Sequence, residues 1–198
     1  MLSQKRELFK GLENKIGEFF STLGLSPNIL SLASIVFVLF SFYFLINIKL
    51  LPASIFFIIA GFIDIIDGAV ARYSQKTTKI GAYLDTIVDR YIEGIILLGF
   101  LFLPLPYFFL PSYVWIFLAL FGSFLTTYAK AAAKEKEILK EEMKEGFFNR
   151  PERIILIFLS IIFGLIDLRY SLFLVIILAF VSNFSALQRI SSVLVKKN

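Results

Sequence analysis

The sequence predicts an all-α integral membrane protein in a single domain, residues 1–198. An amphipathic helix at the membrane interface (1–25) precedes a bundle of six transmembrane helices (29–189). Three observations predict it. The chain is 58% hydrophobic and only 18% charged, against about 45–50% and 25% in soluble domains. Its apolar residues fall into runs close to the roughly 20 residues that cross a bilayer. Lys and Arg concentrate on one side of those runs. Such a composition excludes a soluble enzyme, a nucleic-acid-binding domain and a disordered chain. The net charge of +5 reads as basic loops on the cytoplasmic face rather than as a nucleic-acid surface. With no Cys and no His, disulfides, thiolate sites and imidazole chemistry are excluded as well. Acid–base work falls to Asp, Glu, Lys, Arg or Tyr, and the fitting metals are hard, oxygen-seeking cations such as Mg²⁺ or Mn²⁺.

Along the chain, Leu8, Phe9, Leu12, Ile16, Phe19, Phe20 and Leu23 recur at helical spacing among Lys5, Arg6, Lys10, Glu13, Lys15 and Glu18. That is the pattern of a helix lying in the interface plane. Gly24 closes it, and Ser26-Pro27-Asn28 starts the next element. The six apolar runs are then 29–48, 51–72 (with Pro52 near its start), 80–103, 111–128, 152–166 and 170–189. The fifth is short and fits a tilted or thin-edge span. The one extended hydrophilic stretch is 130–150.

Basic residues set the orientation. Seventeen of the 20 Lys and Arg fall on the side of the N-terminus, in the segments around Lys5–Lys15, Arg72–Lys79, Lys130–Arg153 and Arg189–Lys197. Only Lys49 and Arg169 fall on the other side, and Arg90 lies within a span. Both termini are expected in the cytoplasm and the protein in the cell membrane.

The second and third runs carry four carboxylates, Asp64, Asp67, Asp85 and Asp89. A charged residue at the centre of a span costs on the order of 3 kcal/mol by insertion scales, so it faces a partner or a polar cavity. Asp64 and Asp67 are three residues apart and Asp85 and Asp89 four, so each pair shares a helix face. The short connection makes the two helices antiparallel neighbours, which lets all four converge. Converging carboxylates repel or take up protons, and two divalent cations would balance their charge, the arrangement of a two-metal phosphoryl site. Gly68, Ala69, Ala71, Gly81 and Ala82 thin the helices beside them, and Arg72 places a fixed cation at the mouth, suited to phosphate. Two competing readings use the same residues: aspartates paired with Arg72 and Arg90 as bundle glue, and a carboxylate-lined cation transporter. The transporter is disfavoured because the carboxylates cluster at one end of their spans and no broken helix is apparent.

Residues 64–89 read DIIDGAVARYSQKTTKIGAYLDTIVD. This fits D-x-x-D-G-x-x-A-R, eight residues, then G-x-x-x-D-x-x-x-D, and resembles the CDP-alcohol phosphotransferases, membrane enzymes of phospholipid synthesis. The resemblance implies that Asp64, Asp67, Asp85 and Asp89 bind two divalent cations, Mg²⁺ or Mn²⁺, and that Asp89 doubles as general base. It implies that Pro27, Asn28, Gly68, Ala71, Arg72, Thr78 and Gly81 hold the CDP-lipid, and that the protein is a homodimer with no nucleic-acid partner.

The acceptor is read from three basic residues. Lys130, Arg153 and Arg189 stand at the ends of the fourth, fifth and sixth runs, on the cytoplasmic side with the aspartates, and a Lys with two Arg suits a phosphate. The bland alternative is interfacial snorkelling. TYAKAAAKE, then RPERI, then QR is similar to the phosphatidylinositol-phosphate and archaetidylinositol-phosphate synthases. That resemblance implies inositol 1-phosphate as acceptor and transfer of a phosphatidyl or archaetidyl group with release of CMP. Ala132 and Asn149 depart from the Arg and Glu usual in that group. Glycerol 3-phosphate and serine are the alternative acceptors.

Overall fold

The computed structural model describes residues 11, 14–23, 26–74, 78–138 and 147–195. Six helices follow one another: α1 (Pro27–Ile46), α2 (Leu50–Tyr73), α3 (Lys79–Phe100), α4 (Ser112–Glu135), α5 (Arg150–Gly164) and α6 (Leu168–Val195). Residues 14–22 are helical too; the first ten residues of the expected interfacial helix lie outside the described residues. Among the described residues four helices, α1, α2, α4 and α6, are long and apolar enough to cross a membrane. The protein is therefore a multi-pass membrane protein. α3 carries Asp85, Asp89, Arg90 and Glu93, and α5 is only 15 residues long.

Helix ends differ from the apolar runs where hydropathy and helix propensity part company. The apolar run ends near Tyr128, but α4 continues to Glu135, because Ala129–Ala133 and the flanking Lys and Glu are strong helix formers. α6 likewise runs past Arg189 to Val195. Pro52 sits in the first turn of α2, where a missing N–H breaks no helical bond. α1 opens on Pro27, with the Ser26 carbonyl accepting from the N–H groups of Ile29 and Leu30 at 3.1 and 3.2 Å. Its other end is a Schellman closure: the Lys49 N–H donates to the Phe44 carbonyl at 2.8 Å and the Ile48 N–H to Leu45 at 2.9 Å. Ile48 takes the left-handed conformation there, at φ 58°, a position that usually goes to Gly.

The contacts divide the chain into two compact units, 1–41 with 55–95, and 42–54 with 96–198. In the first unit Gly17 permits close approach of the N-terminal helical segment to α2. A Cβ there would fall 2.6 Å from the Tyr73 Cβ and 2.7 Å from the Ala69 carbonyl. In the second unit α4 and α5 both pack on α6. Small residues set the spacing, as they do between membrane helices generally. A Cβ on Gly122 would fall 2.7 Å from the Asn183 backbone nitrogen, and Ser123, Ser160, Ser171, Ser182 and Ser185 are fully buried. The Asn183 side chain donates to the Leu118 carbonyl on α4 at 2.8 Å, replacing water that a bilayer does not offer. In the α5–α6 connection, the Arg169 side chain and backbone N–H donate to Asp167 and hold that carboxyl below its ordinary range.

Candidate active site

The first unit gathers the acidic residues. One carboxylate oxygen from each of Asp64, Asp67 and Asp85 lies within 4.8 Å of the other two, joining α2 to α3. Asp67 is buried, at 5% exposure. Asp89, one turn further along α3, is also buried. Unit charges about 4 Å apart repel by roughly 4 kcal/mol at an effective dielectric near 20. Closely set carboxylates, one of them withdrawn from water, therefore suit a cation. All-oxygen donors fit a hard divalent ion, and Asp64, Asp67 and Asp85 can hold one.

Beside the triangle is a cavity of about 220 Å³, lined by Pro27, Asn28, Ser31, Asp67, Gly68, Ala71, Arg72, Thr78, Gly81, Ala82 and Asp85. The seven residues assigned to the CDP-lipid from sequence all lie along its wall. Local folding explains several of them. Thr78 precedes α3, and its hydroxyl oxygen accepts from the Gly81 N–H at 2.9 Å, a helix N-cap. Gly81 leaves room there, since a Cβ would sit 3.1 Å from the Thr78 hydroxyl and 3.4 Å from the Asn28 side-chain oxygen. Gly68 does the same for Arg72, whose guanidinium would stand 3.3 Å from a Cβ at that position. The guanidinium thus folds back over the turn that bears Asp67.

Two residues of this unit were not singled out from sequence. Ser31 on α1 donates to Asp67 Oδ2 at 2.6 Å. Its only sequence signal is a hydroxyl one turn after Pro27-Asn28 in an apolar helix. Glu93, fully buried, accepts from Arg90 at 2.9 Å. This ion pair joins Arg90 to the carboxylate one turn along its own helix.

The second unit gathers two of the three basic residues. Arg153, 2% exposed on α5, donates to the Thr126 hydroxyl oxygen at 3.3 Å. Arg189 on α6 donates to the Thr126 carbonyl at 2.9 Å and to Asn149 Oδ1 at 3.0 Å. The Thr126 hydroxyl itself donates to the Ser123 carbonyl at 2.7 Å, which turns its lone pairs toward Arg153. Glu152 accepts from the Asn149 N–H at 3.0 Å and sets the start of α5. Lys130 is exposed, one turn beyond Thr126 on α4. Sequence reading missed Thr126 and used Asn149 only as a departure from pattern, because neither carries charge.

A family model for CDP-alcohol phosphatidyltransferase matches residues 24–186. The chain belongs to that family. The transferase is 31% identical over 182 residues to the archaetidylinositol phosphate synthase of Pyrococcus horikoshii, covering 92% of each chain. It is 34% identical over 131 residues to the archaetidylinositol phosphate synthase of Methanothermobacter thermautotrophicus, covering 66% of this chain and 63% of that one. In fold it is similar to the Mycobacterium tuberculosis phosphatidylinositol phosphate synthase with CDP-DAG bound, at a TM-score of 0.78 and 24% identity over 91% of this chain and 92% of that one. The same enzyme in complex with manganese and citrate matches at a TM-score of 0.77 and 23% identity, over 91% and 88% of the two chains. The transferase is thus a membrane enzyme of phospholipid synthesis, of the CDP-alcohol phosphatidyltransferase family, and similar to archaetidylinositol phosphate synthases.

Proposed function

We propose that the transferase moves a phosphatidyl- or archaetidyl-type group from a CDP-linked lipid onto inositol 1-phosphate and releases CMP. The observation that carries this reading is the carboxylate triangle of Asp64, Asp67 and Asp85 opening on the cavity that Arg72 and Thr78 line. At about 220 Å³ the cavity is below the roughly 300–1,000 Å³ of a drug-sized site. It suits the phosphate end of the donor and leaves the lipid chains to the bilayer.

Two divalent cations, Mg²⁺ or Mn²⁺, held by Asp64, Asp67, Asp85 and Asp89, would neutralise the pyrophosphate and make CMP a better leaving group. The chain's own residues do the rest. Arg72 holds a donor phosphate as a fixed cation, and Pro27, Asn28, Gly68, Ala71 and Gly81 shape the nucleotide's seat. Asp89, buried and set one turn from Asp85, takes the proton of the acceptor hydroxyl. The acceptor oxygen bonds to the phosphorus that carries the lipid. The bond from that phosphorus to the CMP oxygen breaks, and CMP departs with the electron pair.

Arg153 and Arg189 bind the acceptor's phosphate, with Lys130 beside them. Thr126 accepts from both guanidinium groups and Asn149 from Arg189, which supports their acting together on one ligand. The relatives named above carry inositol phosphate in their names, which supports the same acceptor here. The positive-inside bias supports six spans with both termini cytoplasmic. A panel assay tests the reading: purified protein, a CDP-lipid, Mg²⁺ or Mn²⁺, and inositol 1-phosphate, inositol, glycerol 3-phosphate or serine. CMP release should be fastest with inositol 1-phosphate; preference for glycerol 3-phosphate or serine would overturn the acceptor assignment.

A further inference from the structure

Ser31 is buried on α1 at 7% exposure, and its hydroxyl oxygen lies 2.6 Å from Asp67 Oδ2 and 3.1 Å from the Pro27 carbonyl. A serine hydroxyl has one proton to give. The carboxylate is both nearer and charged, and charge-assisted bonds are shorter and stronger than neutral ones, so the proton goes to Asp67. The bond crosses from α1 to α2, and the sequence separation of 36 residues makes it a tertiary contact. A helix needs no such bond for its own backbone, and three other serines on or beside these helices bond locally. Ser34, Ser54 and Ser74 all donate to a carbonyl three or four residues back. Ser31 has the same local acceptor within reach, at the Pro27 carbonyl, and its shorter contact is with Asp67 instead.

We propose that Ser31 is a positioning residue for the cation site: its hydroxyl fixes the rotamer and plane of the Asp67 carboxylate so that Asp67 meets a divalent ion together with Asp64 and Asp85. The proposal rests on the reading of those three carboxylates as cation ligands. Hydrogen bonds from outside a ligand set orient the ligands, and their loss typically weakens metal affinity by about 10- to 100-fold. α1 thereby contributes to a site whose ligands all come from α2 and α3, and the residue doing so also lines the cavity beside it.

The test is a Mn²⁺ titration of the purified full chain without substrate, followed by the electron paramagnetic resonance signal of free Mn²⁺. Ser31→Ala, Ser31→Thr and Asp85→Asn are compared with the wild type. Ser31→Ala should weaken Mn²⁺ binding about 10- to 100-fold, Ser31→Thr should retain near-normal binding because it keeps the hydroxyl, and Asp85→Asn should weaken binding more than either. Wild-type binding by Ser31→Ala alongside a defect in Asp85→Asn would overturn the positioning role and leave the cation site standing. Equal losses in Ser31→Ala and Ser31→Thr would also overturn it, since the hydroxyl would then not be the active feature. Wild-type binding by both Ser31→Ala and Asp85→Asn would instead remove the cation reading on which the proposal depends.

Discussion

The two units solve opposite electrostatic problems. The first brings like charges together: carboxylate oxygens of Asp64, Asp67 and Asp85 within 4.8 Å of one another, next to a cavity. The second holds two guanidinium groups with neutral oxygens, the hydroxyl and carbonyl of Thr126 and the amide oxygen of Asn149. Closely set carboxylates repel one another, whereas each of these arginines donates to an uncharged oxygen of the fold. The first arrangement suits a cation, and the second suits an anion under the proposed function, where groups ordered in folding lower the cost of binding.

Breaking the acidic side should have the largest effect. Asp89→Asn removes the proposed proton acceptor and should lower kcat by about 10²- to 10⁴-fold even at saturating Mn²⁺, measured as CMP release. Asp85→Asn should lose turnover together with metal affinity. Near-normal turnover in either variant would place the chemistry elsewhere. On the basic side, losing a hydrogen bond to a charged group costs about 1.5–3 kcal/mol, roughly 10- to 150-fold in affinity. Arg153→Ala and Arg189→Ala should raise the KM for inositol 1-phosphate by that order and leave CDP-lipid binding nearly unchanged. Equal loss of donor binding would merge the two functions that the comparison separates.

A sharper probe is Thr126→Val, which removes the hydroxyl that accepts from Arg153 but keeps the carbonyl that accepts from Arg189. Acceptor KM should rise less than in Arg153→Ala, by about 10-fold if the lost bond is worth roughly 1.4 kcal/mol, and Thr126→Ser should restore it. Lys140→Ala should have the smallest effect. Its position lies outside the described residues, in the hydrophilic stretch, and changes at such sites typically stay within about 0.5 kcal/mol; both KM values should be those of the wild type.

Charge made the main features legible. Asp64, Asp67, Asp85 and Arg72 announce themselves as ionisable groups in apolar surroundings, where their cost demands a partner, and the spacings of three and four residues put them on shared helix faces. Helix ends were less legible because hydropathy records the apolar run and not the helix. Alanine-rich 129–133 carries α4 well beyond the greasy part, and the left-handed Ile48 ends α1 where glycine is usual.

The sequence by itself thus determined an all-helical chain with membrane-crossing helices, its acidic motif and its basic residues, because periodicity and charge are local and survive without a fold. Only the tertiary structure decided that carboxylate oxygens of Asp64, Asp67 and Asp85 lie within 4.8 Å of one another. It also decided that Arg90 pairs with Glu93, that Ser31 reaches Asp67 across 36 residues, and that Thr126 receives both Arg153 and Arg189. Serine, threonine and asparagine are ordinary residues in a helical pattern. What they bond depends on which neighbour the packing brings within about 3 Å, and that distance is a property of the assembled helices rather than of any one of them.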